Sequence, residues 1–275
     1  MKMRRSLMLE KLRAGKTVCS YKLNLADARA AELAAMLGFD CIWLDMEHVA
    51  NDWSVIEKQI WAAKSCDVDC LVRVSRGGYS DYVKALELDA SGIMVPHIMS
   101  AADAKQVART VRFHPVGRRP VDGGNADGAY CLIDFVDYIK QANAERFVIV
   151  QIEDPEPLDE LDAIAAVPGI DMLFFGPGDF SHAIGAPAQF DHPKIVETRR
   201  KVAEAARAAG KFAGTVGGPK DWKELIRMGY QFLNLGLTWD KVYPVLMSLV
   251  YTLGLTTIFP ITLGFIAGLV IALFK

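Results

Sequence analysis

The stretch FDCIWLDMEHVAND, residues 39–52, decides how this chain is interpreted. Its positions 41–44 form an uninterrupted apolar run, and Asp45, Glu47 and His48 follow within four positions. A short and continuously apolar run is typical of a parallel strand that is covered on both faces. The pattern therefore predicts a buried strand that ends in a cluster of ionisable side chains.

Strand-like and helix-like patterns alternate along most of the chain. Alternating β and α units imply a parallel sheet. Eight strand candidates favour an α/β fold closed into a (β/α)8 TIM barrel, which we place in residues 1–240. An open doubly wound sheet is the alternative, although no Gly-x-Gly-x-x-Gly motif follows a strand. The candidates are TVCSY (17–21), CIWLD (41–45), CLVRV (70–74), GIMVP (92–96), FVIVQIE (147–153), DMLFFGP (171–177), KFAGTV (211–216) and QFLNLG (231–236).

Composition and charge exclude several classes of protein. Of the 275 residues, 52% are hydrophobic and 23% are charged, which favours a large core over disorder. The net charge of −2 gives no support to a nucleic-acid partner. The five cysteines are interpreted as free thiols in a reducing compartment. The basic first 16 residues do not resemble a signal peptide and predict a short amphipathic helix, so we expect the barrel in the cytoplasm.

In a (β/α)8 barrel the active site lies at the carboxyl ends of the strands. Polar residues that directly follow the apolar runs are therefore the candidate site residues. Any one of them alone could simply cap the next helix, so the argument depends on the set. The set consists of Asp45 and His48 after the second strand, Arg73 at the third, Gln151 and Glu153 at the fifth, and Asp179 after the sixth.

These residue types suit the chemistry of an anionic substrate and a metal ion. Glu153 and Asp179 can hold a hard divalent ion that keeps its other positions for water or substrate. The Gly-Pro-Gly turn at residues 176–178 lets backbone N–H groups approach an anion closely. Arg73 supplies a fixed positive fork.

A general base can be built from two further residues of the set. Asp45 and His48 are three positions apart and could form a carboxylate–imidazole dyad that tunes a base. Metal, anion cradle, cation and base together indicate enolate chemistry on a 2-oxo acid.

Five motifs, in this order, carry a family resemblance: GFDCIWLDMEH, LVRVS, GIMVPHI, VQIED and LFFGPGDFS. From about residue 7 to residue 237 the chain resembles the HpcH/HpaI family of class II pyruvate aldolases, whose relatives include dihydroxyheptenedioate aldolase. The resemblance implies a (β/α)8 barrel that depends on a divalent metal such as Mg, Mn or Co. It also implies a lyase that makes or breaks a C–C bond between a 2-oxo acid, usually pyruvate, and an aldehyde.

The resemblance also implies a role for each candidate residue. It implies that Glu153 and Asp179 are metal ligands and that His48 is the base, with Asp45 as its partner. Arg73 would stabilise the enolate, and Gln151 would be a polar group near the substrate and the metal. The backbone amides of Gly178 and Asp179 would bind the substrate carboxylate. Two departures from the family pattern leave the aldehyde specificity open. Glu87 stands where the family has Asp, and Arg119-Pro120 stands where the family usually has Arg-Gly, before the long Gly/Asp loop VDGGNADGAY (121–130).

The tail of the chain, residues 241–275, does not fit the barrel pattern. Positions 242–274 contain no charged residue, a run of 33, and about 20 apolar residues suffice to cross a bilayer. One interpretation is a transmembrane helix within residues 253–274 that anchors the barrel on the cytoplasmic side of the inner (cytoplasmic) membrane. The other is a hydrophobic arm swapped into a neighbouring subunit of a homo-oligomer. Gly264 and Gly268 have the spacing that suits close packing against another membrane helix.

The tail leaves two functions open. The first is a working aldolase tethered to the membrane, which the retained site residues favour. The second is a structural subunit of a membrane-protein complex that reuses an aldolase-type barrel and packs its tail against other helices.

Overall fold

The computed structural model describes residues 1–235 and shows a closed barrel of eight parallel strands. The strands follow one another around the barrel in chain order, and the first pairs with the eighth to close it. The predicted barrel is therefore confirmed, and the open doubly wound sheet is excluded. The strands are β1 (Val18–Lys22), β2 (Cys41–Asp45), β3 (Asp69–Arg73), β4 (Gly92–Val95), β5 (Phe147–Ile152), β6 (Met172–Phe175), β7 (Phe212–Gly217) and β8 (Phe232–Leu235).

Helices connect the strands as the alternating pattern predicts. In chain order they are α1 (Leu7–Arg13), α2 (Ala28–Met36), α3 (Trp53–Ser65), α4 (Tyr79–Glu87), α5 (Ala101–Val111), α6 (Phe135–Glu145), α7 (Leu161–Ala165), α8 (Pro177–Ala183), α9 (Pro193–Ala208) and α10 (Trp222–Met228).

Side chains of each strand alternate between the inside of the barrel and its outer helices. In β2, Cys41 and Trp43 belong to the inner apolar cluster, whereas Ile42 and Leu44 pack in the outer cluster against helices. All five residues of this strand are buried, as its continuous apolar character predicts. Asp45 continues the alternation of Cys41 and Trp43, so its carboxylate belongs to the inner side at the carboxyl end.

Helix α1 closes the amino end of the barrel. Its Met8, Leu9 and Leu12 are at most 1% exposed and join the inner apolar cluster. Asp69, the first residue of β3, accepts hydrogen bonds from Ser6 Oγ at 2.6 Å and from the Met8 amide at 2.9 Å. The predicted amphipathic helix is thus confirmed, and it leaves the carboxyl ends of the strands as the end where a site can lie.

The segment after β6 differs from its prediction. The sequence predicts only a turn at residues 176–178, but Gly176 caps helix α8 and Pro177 begins it. Proline suits this position because its fixed φ is helical and its missing N–H is not needed there. The N–H groups of Gly178 and Asp179 still have no partner within the helix, because they lie in its first turn.

The long loop at residues 121–130 is fixed by a buried ion pair. Arg119 Nη2 donates to Asp127 Oδ2 at 2.7 Å, and the Tyr138 hydroxyl donates to the same oxygen at 2.7 Å. The Arg119 guanidinium also lies 4.8 Å from the centre of the Phe113 ring. These contacts hold the loop against α6 and the end of α5.

Among the helices of residues 1–235, none combines the length and the apolar character that a membrane span requires. The predicted tail, residues 241–275, lies outside the described residues. The membrane anchor and the swapped arm therefore both stay predictions.

Candidate active site

Asp45 and Arg73 pair across neighbouring strands at the carboxyl end of the barrel. They are register partners in β2 and β3, and Arg73 donates to both Asp45 oxygens, from Nε at 3.0 Å and from Nη2 at 2.7 Å. Lys22, at the end of β1, places its Nζ 2.8 Å from Asp45 Oδ2. Both cations lie against the ring of Trp43, with Arg73 Cζ 5.1 Å and Lys22 Nζ 5.9 Å from its centre. Three strands thus contribute to one charged group.

These contacts determine the charge of the pair. Burial by itself would raise the pKa of Asp45, but hydrogen bonds and charges from Arg73 and Lys22 outweigh it and lower that pKa to about 2. Burial also opposes the charge on Arg73, and Asp45 more than compensates, so the pKa of Arg73 is raised. Arg73 is therefore a fixed cation at neutral pH.

The predicted pairing of His48 with Asp45 is wrong for this structure. Arg73 and Lys22 occupy both Asp45 oxygens, and the carboxylate near His48 is that of Glu47, whose Oε2 lies 3.6 Å from His48 Nε2. The reason is electrostatic, because the cations of adjacent strands reach the buried carboxylate while the His48 side chain is 55% exposed. His48 lies in the loop after β2, and its role as the base stays a prediction.

Glu153 is held from three sides just after β5. It is 1% exposed. Gln151 Nε2 donates to its Oε2, and the backbone N–H of His97 donates to its Oε1 at 2.9 Å. Gly176 closes the third side, since a Cβ at that position would lie 2.7 Å from Glu153 Oε2. Strands β4, β5 and β6 therefore all contribute to the position of this carboxylate.

The surroundings of Glu153 favour a cation. Burial raises the pKa of Glu153 to about 7, the His97 amide and ring oppose this shift, and the charges of Asp179 and Glu47 add to it. Asp179 is exposed in the first turn of α8. Because a nearby cation would relieve both the burial and the carboxylate repulsion, this group is suited to hold one.

The donor set fits a hard divalent ion that keeps most of its water. Among residues 1–235 no three His, Cys, Asp or Glu side chains cluster in the manner of a fully protein-ligated metal site. Glu153 and Asp179 offer carboxylate oxygens, and the buried Oε1 of Gln151 accepts no hydrogen bond from the described residues. Few carboxylates and an unpaired amide oxygen suit Mg²⁺ or a similar ion, which binds through one or two carboxylates and retains water.

Three residues of the site were not assigned a role from the sequence. Lys22 could have been found because it continues the inward alternation of Val18 and Ser20 on β1. Glu47 lies 2.9 Å from Arg73 Nη1, yet its Oε2 accepts no hydrogen bond from the described residues, so this contact is an ion pair without hydrogen-bond geometry.

His97 is the third of these residues, and it links the loops after β2, β4 and β5. Its Nδ1 lies 2.8 Å from Asp154 Oδ2, and its Nε2 lies 3.7 Å from Glu47 Oε1. Burial opposes a charge on the ring, but Asp154, Glu153 and Glu47 outweigh it and raise the pKa of His97. The signal that could have found it is its place directly after the motif GIMVP, at the same end of the barrel as the other residues.

Comparison with known proteins agrees with the fold and with the family resemblance of the sequence. Residues 22–243 match the model of the HpcH/HpaI aldolase/citrate lyase family. The chain is 33% identical over 229 residues to a hydroxypyruvate/pyruvate aldolase of Pseudomonas aeruginosa, covering 83% of this chain and 85% of that one. It is 31% identical over 230 residues to a 2-keto-3-deoxy-L-rhamnonate aldolase of Salmonella gallinarum, with the same coverage.

A solved structure is similar over nearly the whole chain. The HpcH/HpaI aldolase from Desulfitobacterium hafniense superimposes with a TM-score of 0.81 at 28% identity, covering 94% of this chain and 100% of that one. The chain therefore belongs to the HpcH/HpaI aldolase/citrate lyase family.

Proposed function

We propose that this protein is a metal-dependent class II aldolase, a lyase that cleaves or forms a C–C bond next to a 2-oxo acid. The observation that carries the proposal is the buried Glu153 carboxylate, which lies at the same carboxyl end of the barrel as Asp179 and Arg73 and is influenced by the charge of Asp179. Relatives are named as aldolases of pyruvate and hydroxypyruvate and of a 2-keto-3-deoxy sugar acid, which supports a 2-oxo acid as substrate.

Different charged and polar groups of the site would bind the substrate and stabilise the charge that develops on it. A divalent ion held by Glu153 and Asp179 would polarise the 2-oxo group, as a Lewis acid does. Arg73 uses Nε and Nη2 for Asp45, and its Nη1, which lies 2.9 Å from Glu47 Oε2 without hydrogen-bond geometry, would donate to the oxygen that gains charge in the enolate. The first-turn N–H groups of Gly178 and Asp179 would receive the substrate carboxylate.

The proton at the aldehyde end requires a separate group. His48 would take the proton of the aldehyde-side hydroxyl, directly or through water, and return it in the reverse direction. Its neighbour in this structure is Glu47 and not Asp45, so Glu47 would orient the ring. Asp45 instead holds Arg73 in place.

An assay of pyruvate release tests the proposal. Purified protein would be offered a panel of 4-hydroxy-2-oxo acids after treatment with EDTA and again after addition of Mg²⁺, Mn²⁺ or Co²⁺. We expect turnover only with added metal, because the carboxylates of the site would otherwise lack the cation. Equal turnover with and without EDTA would contradict class II chemistry.

Replacement of Gly176 by alanine should disturb the site while the barrel stays folded. The new Cβ would lie 2.7 Å from Glu153 Oε2 and 2.9 Å from Gln151 Nε2, so both side chains must move. We expect metal-dependent cleavage to fall roughly 10- to 100-fold, the usual effect of disturbing groups that orient metal ligands. Gly218→Ala is the matched control, because the nearest atom to its Cβ would be 3.7 Å away. Comparable losses in both variants would contradict this role of Gly176.

The uncharged tail supports a second candidate function. We propose that residues 241–275 attach the barrel to the inner membrane, either as an anchor for the enzyme or as the packing helix of a structural subunit. The run of 33 uncharged residues carries this proposal. An idle barrel in a membrane complex would show no turnover in the pyruvate assay, whereas a tethered enzyme would.

Fractionation of cells tests the attachment. The full-length chain is expected to sediment with membranes and to resist extraction at alkaline pH, because a spanning helix is removed only by detergent. Truncation after Asp240 should move the protein to the supernatant. If the full-length chain stays in the supernatant without detergent, the swapped arm replaces the anchor.

A further inference from the structure

The backbone at His97 adopts a conformation that is uncommon for a residue with a side chain. Its φ is +50°, in the left-handed region that favours glycine. This turn follows β4 directly and aims the His97 N–H at Glu153 Oε1, 2.9 Å away. The next amide, that of Ile98, donates to the Gln151 carbonyl at 3.2 Å. Two successive N–H groups thus join the end of β4 to the end of β5.

The imidazole of His97 holds this turn in place. Its Nδ1 lies 2.8 Å from Asp154 Oδ2, and Asp154 is the residue directly after Glu153. Its Nε2 lies 3.7 Å from Glu47 Oε1 on the far side of the ring. The side chain therefore connects to the loop after β5 on one side and to the loop after β2 on the other.

The amide of His97 is the hydrogen-bond donor to Glu153 Oε1, at 2.9 Å, whereas the Nδ1 of the His97 ring lies 3.8 Å from the same oxygen, beyond hydrogen-bond distance. Glu153 Oε2 is already held by Gln151 and confined by Gly176. Without the His97 N–H, Oε1 of a carboxylate that is 1% exposed would lose its backbone donor, and among the described residues only the hydrogen bond from Gln151 to Oε2 would remain. The direction of Oε1 therefore depends on the left-handed turn.

We propose that His97 is a positioning residue, which uses its ring contact with Asp154 to hold a left-handed turn whose amide orients Glu153. This inference rests on the proposed function, since Glu153 is the carboxylate assigned there to the metal. It concerns the backbone and the ring contact, and gives His97 no part in proton transfer.

The test uses three variants of the full-length protein and MnCl2 as the probe, with free Mn²⁺ measured by electron paramagnetic resonance. His97→Val removes the ring and, being β-branched, disfavours the left-handed turn. His97→Gly removes the ring but permits the turn. Asp154→Ala removes the partner of the ring.

The expected result is a graded loss of affinity. His97→Val should weaken Mn²⁺ binding about 10- to 100-fold, the range typical of partners that orient metal ligands. The loss of Mn²⁺ affinity in Asp154→Ala should fall within the same range. His97→Gly should lose less Mn²⁺ affinity than His97→Val. Equal losses in the Val and Gly variants would instead indicate that the ring itself matters, and would overturn the positioning role of the turn.

Asp67→Val is the matched control. Asp67 also has a left-handed backbone, with φ +58°, but lies between α3 and β3 at the opposite end of the barrel. This variant should lose thermal stability and keep the Mn²⁺ affinity of the parent protein. A Mn²⁺ loss in Asp67→Val as large as that in His97→Val would mean that strain alone explains the effect, and would overturn the inference.

A second readout needs no metal. Crystal structures grown with EDTA should show the Glu153 carboxylate against the His97 amide in the parent protein and turned away from it in His97→Val. An unmoved carboxylate in the variant would overturn the inference. If the parent protein fails to bind Mn²⁺ but Glu153 moves as expected, the proposed metal site fails while the positioning role is upheld.

Discussion

Glu153→Gln is expected to abolish metal-dependent cleavage while leaving the barrel folded. Glutamine keeps the size of the side chain but removes the charge that would hold a divalent ion. A bound metal supplies several kcal/mol of transition-state stabilisation, so the rate should fall roughly 10³-fold or more. The measurements are kcat for pyruvate release at saturating metal and the Mn²⁺ affinity. The control is Glu156→Gln, an exposed residue three positions further on, which should retain both values.

The same variant has a second effect, on the stability of the metal-free protein. The pKa of Glu153 is about 7 in the folded protein and about 4.3 in an unfolded chain. Between these values the folded state keeps a proton that the unfolded state has lost, so Glu153 makes the protein less stable as the pH rises.

This pH dependence gives the substitution a distinctive signature. The amide introduced by Glu153→Gln does not titrate, so in EDTA the variant should gain stability relative to the parent between pH 5 and pH 8. The gain is on the order of 3 kcal/mol at most, and melting temperatures at the two pH values measure it. A difference that stays constant with pH would show that Glu153 is not held in the buried environment described above.

Arg73→Met is expected to damage both activity and stability. Removal of the cation leaves Asp45 buried with Lys22 as its partner, and breaking a buried ion pair in this way costs about 3–5 kcal/mol. Loss of the donor to the developing oxyanion should lower kcat by roughly 10²- to 10³-fold. Urea denaturation and the pyruvate assay measure the two effects separately.

Two further variants separate the roles of Arg73. Arg73→Lys keeps the positive charge but cannot donate to both Asp45 oxygens as the guanidinium does. Relative to Arg73→Met, it should therefore recover part of the free energy of unfolding and little of kcat. Arg76→Met is the surface control, because its pair with Asp103 is partly exposed and contributes about 0–1 kcal/mol. A kcat within tenfold of the parent for Arg73→Met would contradict a role in stabilising the enolate.

Much of the fold could be predicted because strand periodicity is a local property of the sequence. The eight apolar runs, such as CIWLD at 41–45, need covering on both faces, and a parallel barrel with outer helices provides this cover. The end of the barrel that carries the site follows from the same pattern, since polar residues stand directly after the runs. The helix that begins at Pro177 could not be recognised, because its first residues have the sequence of a Gly-Pro-Gly turn.

The pairing of side chains within the site was harder to predict. His48 is close to Asp45 in sequence, but Arg73 and Lys22 are closer in space and carry full charges. Proximity in sequence therefore gave the wrong partner for Asp45. The register between β2 and β3 places Arg73 beside Asp45, and this register decides which side chains are in contact. His97 could not be assigned a structural role for a similar reason, since its contribution to Glu153 is a backbone N–H, which nearly every residue possesses.

Helix α1 has a consequence for the order of events in turnover. Its Met8, Leu9 and Leu12 close the amino end of the barrel, so within residues 1–235 the carboxyl end is the one through which reactants would enter and leave. If the 2-oxo acid binds against Glu153 and Arg73 at the carboxyl ends of the strands, the aldehyde must approach from the solvent side of the bound acid. The acid would then bind first and leave last. This compulsory order of binding and release would follow from the single open end of the barrel and would require no regulatory element.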